Sequence, residues 1–179
     1  IDTGKRVLPT IRWLSADLRL LTDAHGWAPF LAGVDVVVNC AGALQEGPED
    51  DLEAVHHLAI AALANACSSA DVKIIQISAV GAHLDAPTRF LASKARGDAA
   101  IQTSGAQHVI FRPGLVLARN GYGGSTMLRM LAAFPWVQPI AIPDSKIQTI
   151  GLVDISSAAL LRTFEFCTAS GRQLLITIF

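Results

Sequence analysis

At 179 residues the chain is long enough for one domain with a full hydrophobic core. It is 51% hydrophobic, 16% charged and carries a net charge of −1, against roughly 25% charged residues in an average soluble domain. That composition excludes disorder and offers no electrostatic attraction to nucleic acid or acidic lipid. No apolar run approaches the ~18 residues that span a bilayer. The opening Ile1–Arg6 has neither a leader pattern nor an initiator Met, so the sequence reads as a cytoplasmic protein met as a fragment. Cys40, Cys67 and Cys167 are far apart and in no C-x-x-C pair, which predicts reduced, mostly buried thiols.

In chain order, Ile11–Leu14 predicts a short strand. Thr22–Leu31 predicts a helix with Trp27, Phe30 and Leu31 on one side, and Gly33 supplies its stop. Val34–Asn39 is the clearest strand, its β-branched run suiting a parallel strand covered on both faces. The turn-rich stretch Gly42–Asp50 precedes a helix from about Asp51 to Ser69, with Asp50, Asp51 and Glu53 complementing the dipole at its start. Val72–Ile77 is a second buried strand ending at Ser78. Thr88–Ser104 is a helix stopped by Gly105, and His108–Phe111 is a third strand closed by Arg112-Pro113-Gly114. A helix near Ser125–Ala133, a short strand within Ile147–Leu152, a helix Asp154–Phe166 with Asp154 as N-cap, and a strand Leu174–Phe179 complete the chain.

Strands alternating with helices at this spacing imply right-handed βαβ units and a parallel sheet. Ligands in such sheets lie beyond the C-terminal ends of the strands. Asn39–Gly42, Ser78–His83 and Arg112–Gly114 each follow a strand and therefore carry the candidate chemistry.

Five segments, in order, carry a family resemblance. Asp17-Leu18 resembles the Asp–hydrophobic pair that contacts an adenine ring. Asp35 to Gly42, including Asn39, Cys40 and Ala41, resembles a strand and the Ala/Gly turn beside a cofactor ribose. Ile77-Ser78-Ala79-Val80-Gly81-Ala82 resembles a strand end bearing an active-site Ser. Phe90-Leu91-Ala92-Ser93-Lys94 stands at a Tyr-x-x-x-Lys motif, and Arg112-Pro113-Gly114-Leu115-Val116 resembles a turn packed on the nicotinamide. On these the chain resembles the extended and atypical branch of the short-chain dehydrogenase/reductase superfamily. Epimerase/dehydratase-like proteins and the nucleotide-binding accessory subunit of respiratory complex I are similar. The resemblance implies an α/β, Rossmann-like, doubly wound parallel sheet in a single domain, residues 1–179, with 120–179 forming the substrate-side part. It implies NAD(P) as cofactor, a small-molecule substrate, catalytic roles for Ser78 and Lys94, and cofactor contacts from Asp17, Leu18, Asn39, Ala41, Gly42, Ser78, Lys94, Pro113 and Gly114.

Two departures qualify it. The family opens with a strand and a glycine-rich turn whose N–H groups meet the pyrophosphate at a helix N-terminus, and no such turn precedes Ile11 here. Gly121-Tyr122-Gly123-Gly124 comes late in the chain and reads as a loop before a helix. Without its first half the sheet is expected to expose an edge at Ile11–Leu14 or Val34–Asn39 and to self-associate as a homo-oligomer. Second, the Tyr position is Phe90, which has no exchangeable proton.

Each site residue also has a plain structural reading: Ser78 as a strand-end hydroxyl, Lys94 as a solvated helix lysine, Asp17 as a capping residue, and Asn39 as turn chemistry. His56 and His57 are adjacent in a helix, point apart and share no metal. His83 and Tyr122 are the remaining candidate proton donors. Three functions stay open: an NAD(P)-dependent oxidoreductase or epimerase-like enzyme impaired at Phe90, a non-catalytic NAD(P)-binding sensor or structural subunit, and a ligand-free scaffold fragment.

Overall fold

The computed structural model describes residues 11–43, 45–47, 51–119, 124–133, 146–166 and 173–177. A 3-10 turn at Leu18–Leu20 leads into α1 (Ala24–Leu31) and β1 (Val34–Asn39). A π-wound stretch, Ala54–Leu58, runs directly into α2 (Ala59–Ala70). Next come β2 (Lys73–Ile77), α3 (Arg89–Thr103), β3 (His108–Phe111), β4 (Leu115–Leu117) and α4 (Gly124–Ala132). β5 (Thr149–Gly151), α5 (Leu152–Phe166) and β6 (Gln173–Thr177) close the order.

The main sheet runs β3–β2–β1–β6 and is parallel throughout, while β4 and β5 form a separate parallel pair. Burial explains the Val-Asp-Val-Val-Val-Asn sequence of β1. Val37 and Ile74 join the core under α1, α2 and α3, with Trp27, Leu31, Ile60, Leu63, Cys67 and Ile101. Val36, Val38 and Ile75 face the other way, onto Ala159 of α5 with Phe111 and Phe166 beside them. Successive residues point to opposite faces, so a strand covered on both sides must be apolar throughout. Turn chemistry matches at Gly33 and Gly105, whose φ angles of 74° and 81° end their helices in the left-handed region.

Several expectations are corrected. Ile11–Leu14 is not a strand; Ile11 and Leu14 are exposed in irregular chain. The segment pairs with no strand among the described residues, and both edges of β1 are taken, by β2 and by β6. Val34–Asn39 is for the same reason interior, and among the described residues the edges belong to β3 and β6. The C-terminal strand pairs with β1 from Gln173 to Thr177; residues 178 and 179 of the expected span lie outside the described residues. Leu115 and Val116, expected in the turn that opens at Arg112, belong with Leu117 to a strand paired with β5. Asp154 sits in the first turn of α5, which starts at Leu152, and is not its N-cap. Cys67 is buried but Cys40 is exposed, and Cys167 lies outside the described residues, as do Tyr122 and Trp136.

The π-wound stretch brings two helices unusually close. Ala59 N–H reaches back to Ala54 O, a five-residue span. A Cβ built at Gly97 of α3 would lie 2.0 Å from the His56 carbonyl oxygen. Gly97→Ala is therefore expected to destabilise the fold by about 1–3 kcal/mol through overpacking, seen as a lower urea midpoint at unchanged m-value; an unchanged midpoint would show that α3 is free to retreat.

Candidate functional site

The C-terminal end of β2 and one face of α3 build the site. Thr88 caps α3 by accepting the Leu91 N–H at 3.3 Å. From there Phe90, Lys94 and Asp98 recur every four residues and line one face. Lys94 is 7% exposed. Its Nζ donates to Ile77 O at 3.2 Å and stands 5.8 Å from the centre of the Phe90 ring. Burial pushes the Lys94 ammonium below the ordinary lysine pKa, and the Asp98 carboxylate opposes that. The reading of Lys94 as a solvated surface lysine is thereby excluded.

Ser78 follows Ile77 and is buried. Its Oγ donates to Asp98 Oδ2 at 2.8 Å, and Arg112 Nε donates to the same oxygen at 3.0 Å. Asp98 is buried, and its Oδ1 has no partner among the described residues. Two residues, one just after β2 and one just after β3, thus converge on one carboxylate of α3.

At the end of β1, Asn39 Nδ2 donates to Gln76 Oε1 at 2.7 Å, while Asn39 Oδ1 accepts the Ala41 N–H at 3.2 Å. Asn39 thereby turns the chain out of the sheet, and Gly42 arrives beside Lys94. A Cβ at Gly42 would stand 3.1 Å from His56 Nε2 and 3.4 Å from Lys94 Nζ. His56 pins this turn: its Nε2 accepts the Ala43 N–H at 3.0 Å, and its Nδ1 lies 2.9 Å from Ser93 Oγ. Since Nε2 accepts, the imidazole is neutral and its proton is on Nδ1, donated to Ser93 Oγ; that hydroxyl donates onward to Phe90 O. The Phe90 ring meets the His56 ring edge-on, with centroids 5.5 Å apart.

The other expected residues lie apart from this cluster or at its rim. Asp17 caps the 3-10 turn through the Arg19 N–H and pairs with the Arg19 guanidinium, which holds its carboxyl below the usual range. Leu18 is buried in the core beside Trp27. Pro113 O accepts the Val80 N–H at 2.8 Å, lacing the Arg112–Gly114 turn to the end of β2. Gly114 is required where it stands, because a Cβ there would lie 2.1 Å from Gln148 O. His83 is exposed. Sequence reasoning missed His56, Ser93 and Asp98 as site-building residues. The four-residue period from Phe90 through Lys94 points to Asp98; nothing local marks His56, whose partner Ser93 is 37 residues away.

Among the described residues no group of three or more His, Cys, Asp or Glu side chains is arranged to hold a metal ion, and no helix is long and apolar enough to cross a membrane.

Desolvation, and secondarily the Lys94 charge, lowers the His56 pKa from 6.5 to about 4. A depressed folded-state pKa means the unfolded chain takes up the proton first. The stability due to neutral His56 is thus complete above about pH 6.5 and lost as pH falls towards 4, on the order of 3 kcal/mol in all. Urea titrations from pH 7 to 4 are expected to show this loss, with a shallower decline in His56→Gln; equal slopes for both proteins would contradict it.

No protein-family model matches the sequence, and no curated protein does. Solved structures do match in fold. UDP-N-acetylglucosamine 4-epimerase from Bacillus cereus superposes with a TM-score of 0.62 at 14% identity, over 94% of this chain and 63% of that one. The Bordetella bronchiseptica enzyme WbmG in complex with NAD and UDP gives 0.61 at 19% identity, over 92% and 56%, so the chain spans about half of WbmG. dTDP-4-dehydrorhamnose reductase from Bacillus anthracis in complex with NADP gives 0.61 at 12% identity, over 98% and 80%. The parallel sheet and this likeness give the chain a Rossmann-like fold, as in these three enzymes.

Proposed function

We propose that this chain is an NAD(P)-binding, oxidoreductase- or epimerase-like protein of the short-chain dehydrogenase/reductase type, impaired as a carbonyl reductase because Phe90 occupies the proton-donor position. The dinucleotide lies across the C-terminal ends of β1, β2 and β3. The observation that carries this reading is Lys94. Its buried ammonium has Ile77 O as its hydrogen-bond acceptor among the described residues, which leaves two N–H groups without a protein acceptor there, close to Gly42. Buried donors without acceptors are costly, and ribose hydroxyls are acceptors of matching chemistry. Glycine at position 42 lets the turn come this close to the ammonium, since a Cβ there would crowd His56 Nε2 and Lys94 Nζ. Asn39, Ala41 and Gly42 shape that side of the site, and Pro113 and Gly114 the opposite side. Ser78 stands between them.

When bound, NAD(P) supplies or accepts a hydride. The chain's own contribution is to hold the ribose at Lys94 and to close the site around it. Phe90 favours a binding or sensory role over reduction, since its ring is packed against His56 and beside Lys94 and holds no transferable proton.

Self-association is part of the proposal. Val153, Leu160, Leu161 and Phe164 are exposed on α5, and at this spacing they form one apolar stripe that a second copy would cover.

Titration of NAD and NADP into the protein is expected to show binding. Lys94→Met is expected to weaken it about tenfold or more, the value of a hydrogen bond to a charged donor. Phe90→Tyr should leave affinity nearly unchanged and raise reduction of a carbonyl panel, since the phenol lies beside the Lys94 ammonium; general-acid help is typically ~10²–10⁴-fold. Failure of both dinucleotides to bind would overturn the reading.

A further inference from the structure

A serine hydroxyl has one proton to give and two lone pairs with which to accept. In Ser78 the proton is committed to Asp98 Oδ2 at 2.8 Å. Asp98 is buried and its Oδ2 also receives the Arg112 guanidinium, so the carboxylate acts as acceptor only. An O–H···O⁻ bond of this kind is about twice as strong as one between neutral groups. A carbonyl oxygen entering the site would have to win the proton from that carboxylate, whose other oxygen already has no partner among the described residues. Withdrawing the Ser78 proton would leave Asp98 still less satisfied. The backbone allows no retreat, because Ser78 N–H donates to Phe111 O at 2.8 Å and Val80 N–H to Pro113 O at 2.8 Å. These two bonds tie the segment after β2 to the end of β3 and to the turn that follows it.

We propose that Asp98 is a positioning residue that fixes Ser78 as an acceptor-only group, so that Ser78 recognises a hydrogen-bond donor on the ligand, the carboxamide N–H of the nicotinamide, and gives no proton to a substrate carbonyl. The inference rests on the dinucleotide reading above and deepens it. Phe90 and Ser78 together then leave Lys94 as the proton-bearing side chain of the triad, and the site holds a dinucleotide through one acceptor, Ser78, and one donor, Lys94.

The test uses NAD and its 3-acetylpyridine analogue, in which a methyl ketone replaces the carboxamide: the carbonyl acceptor stays and the N–H donors go. The wild-type protein is expected to bind the analogue about tenfold more weakly than NAD, the worth of one buried hydrogen bond, and Ser78→Ala to bind the two equally. Equal or tighter binding of the analogue by the wild type, or a preference that survives in Ser78→Ala, would overturn the proposal. If neither dinucleotide binds, the dinucleotide reading and the carboxamide assignment fall together. The Ser78–Asp98 pairing is decided separately, on the unliganded protein. A double-mutant cycle of Ser78→Ala and Asp98→Asn in urea should show a coupling of roughly tenfold in the unfolding constant, and additivity would refute the pairing. Should Asp98→Asn not fold, the Ser78 hydroxyl proton gives the answer by NMR. A slowly exchanging hydroxyl resonance that disappears in Ser78→Ala supports the pairing, and its absence from the wild type refutes it.

Discussion

The close approach of α3 to the π-wound stretch at Gly97 is the constraint on which the site depends. A side chain at that position would push the two helices apart, since even a Cβ would overlap the His56 carbonyl. With the helices in contact, α3 brings Lys94 and Asp98 under the end of β2 and out of water. Burying a cation and an anion costs several kcal/mol each unless partners replace the lost hydration. Ile77 O and the Phe90 ring serve Lys94, while Ser78 and Arg112 serve Asp98. The π-winding belongs to the same arrangement. It carries His56 inward to the turn after β1 while His57, its neighbour, pairs outward with Glu53.

The groups around the turn are complementary in charge state. His56 is held neutral by burial and by the neighbouring Lys94 ammonium, and neutrality is what lets its Nε2 accept the Ala43 N–H. A protonated imidazole would present a donor to a donor and a cation to a cation. The turn Asn39–Ala43 is thus held by Asn39 within the sheet and by His56 from the helix. Lys94 stands next to a fixed backbone rather than a loose loop, and such preorganisation lowers the cost of binding a ligand there.

The two faces of the sheet are unequally covered. One face lies under α1, α2 and α3 in a large continuous core, and the other meets α5 through a small cluster. α5 therefore keeps Val153, Leu160, Leu161 and Phe164 exposed. The sheet's strongest strand, β1, is nonetheless central, because β6 pairs along it from Gln173 to Thr177. Sequence adjacency gave no hint of that pairing, since more than a hundred residues separate the two strands.

By itself the sequence determined the local elements. The valines of β1, the apolar run of β2, the helical stretch Thr88–Ser104, and Gly33 and Gly105 as helix stops act through propensity, periodicity and backbone freedom, which are short-range properties. It also determined the candidate positions at strand ends, Asn39, Ser78 and Pro113, and the one-turn relation of Phe90 to Lys94. Only the tertiary structure decided which of these residues meet. Ile11–Leu14 has strand-like residues yet pairs with no strand among the described residues. Asp98 becomes a partner of Ser78 through the packing of α3 on β2, and His56 reaches Ser93 and Ala43 through a π-turn that no residue pattern announces. Hydrogen bonds across 20 and 37 residues depend on where whole elements dock, and docking is set by the close approach at Gly97 and by the sharing of two sheet faces, neither of which exists until the chain has folded.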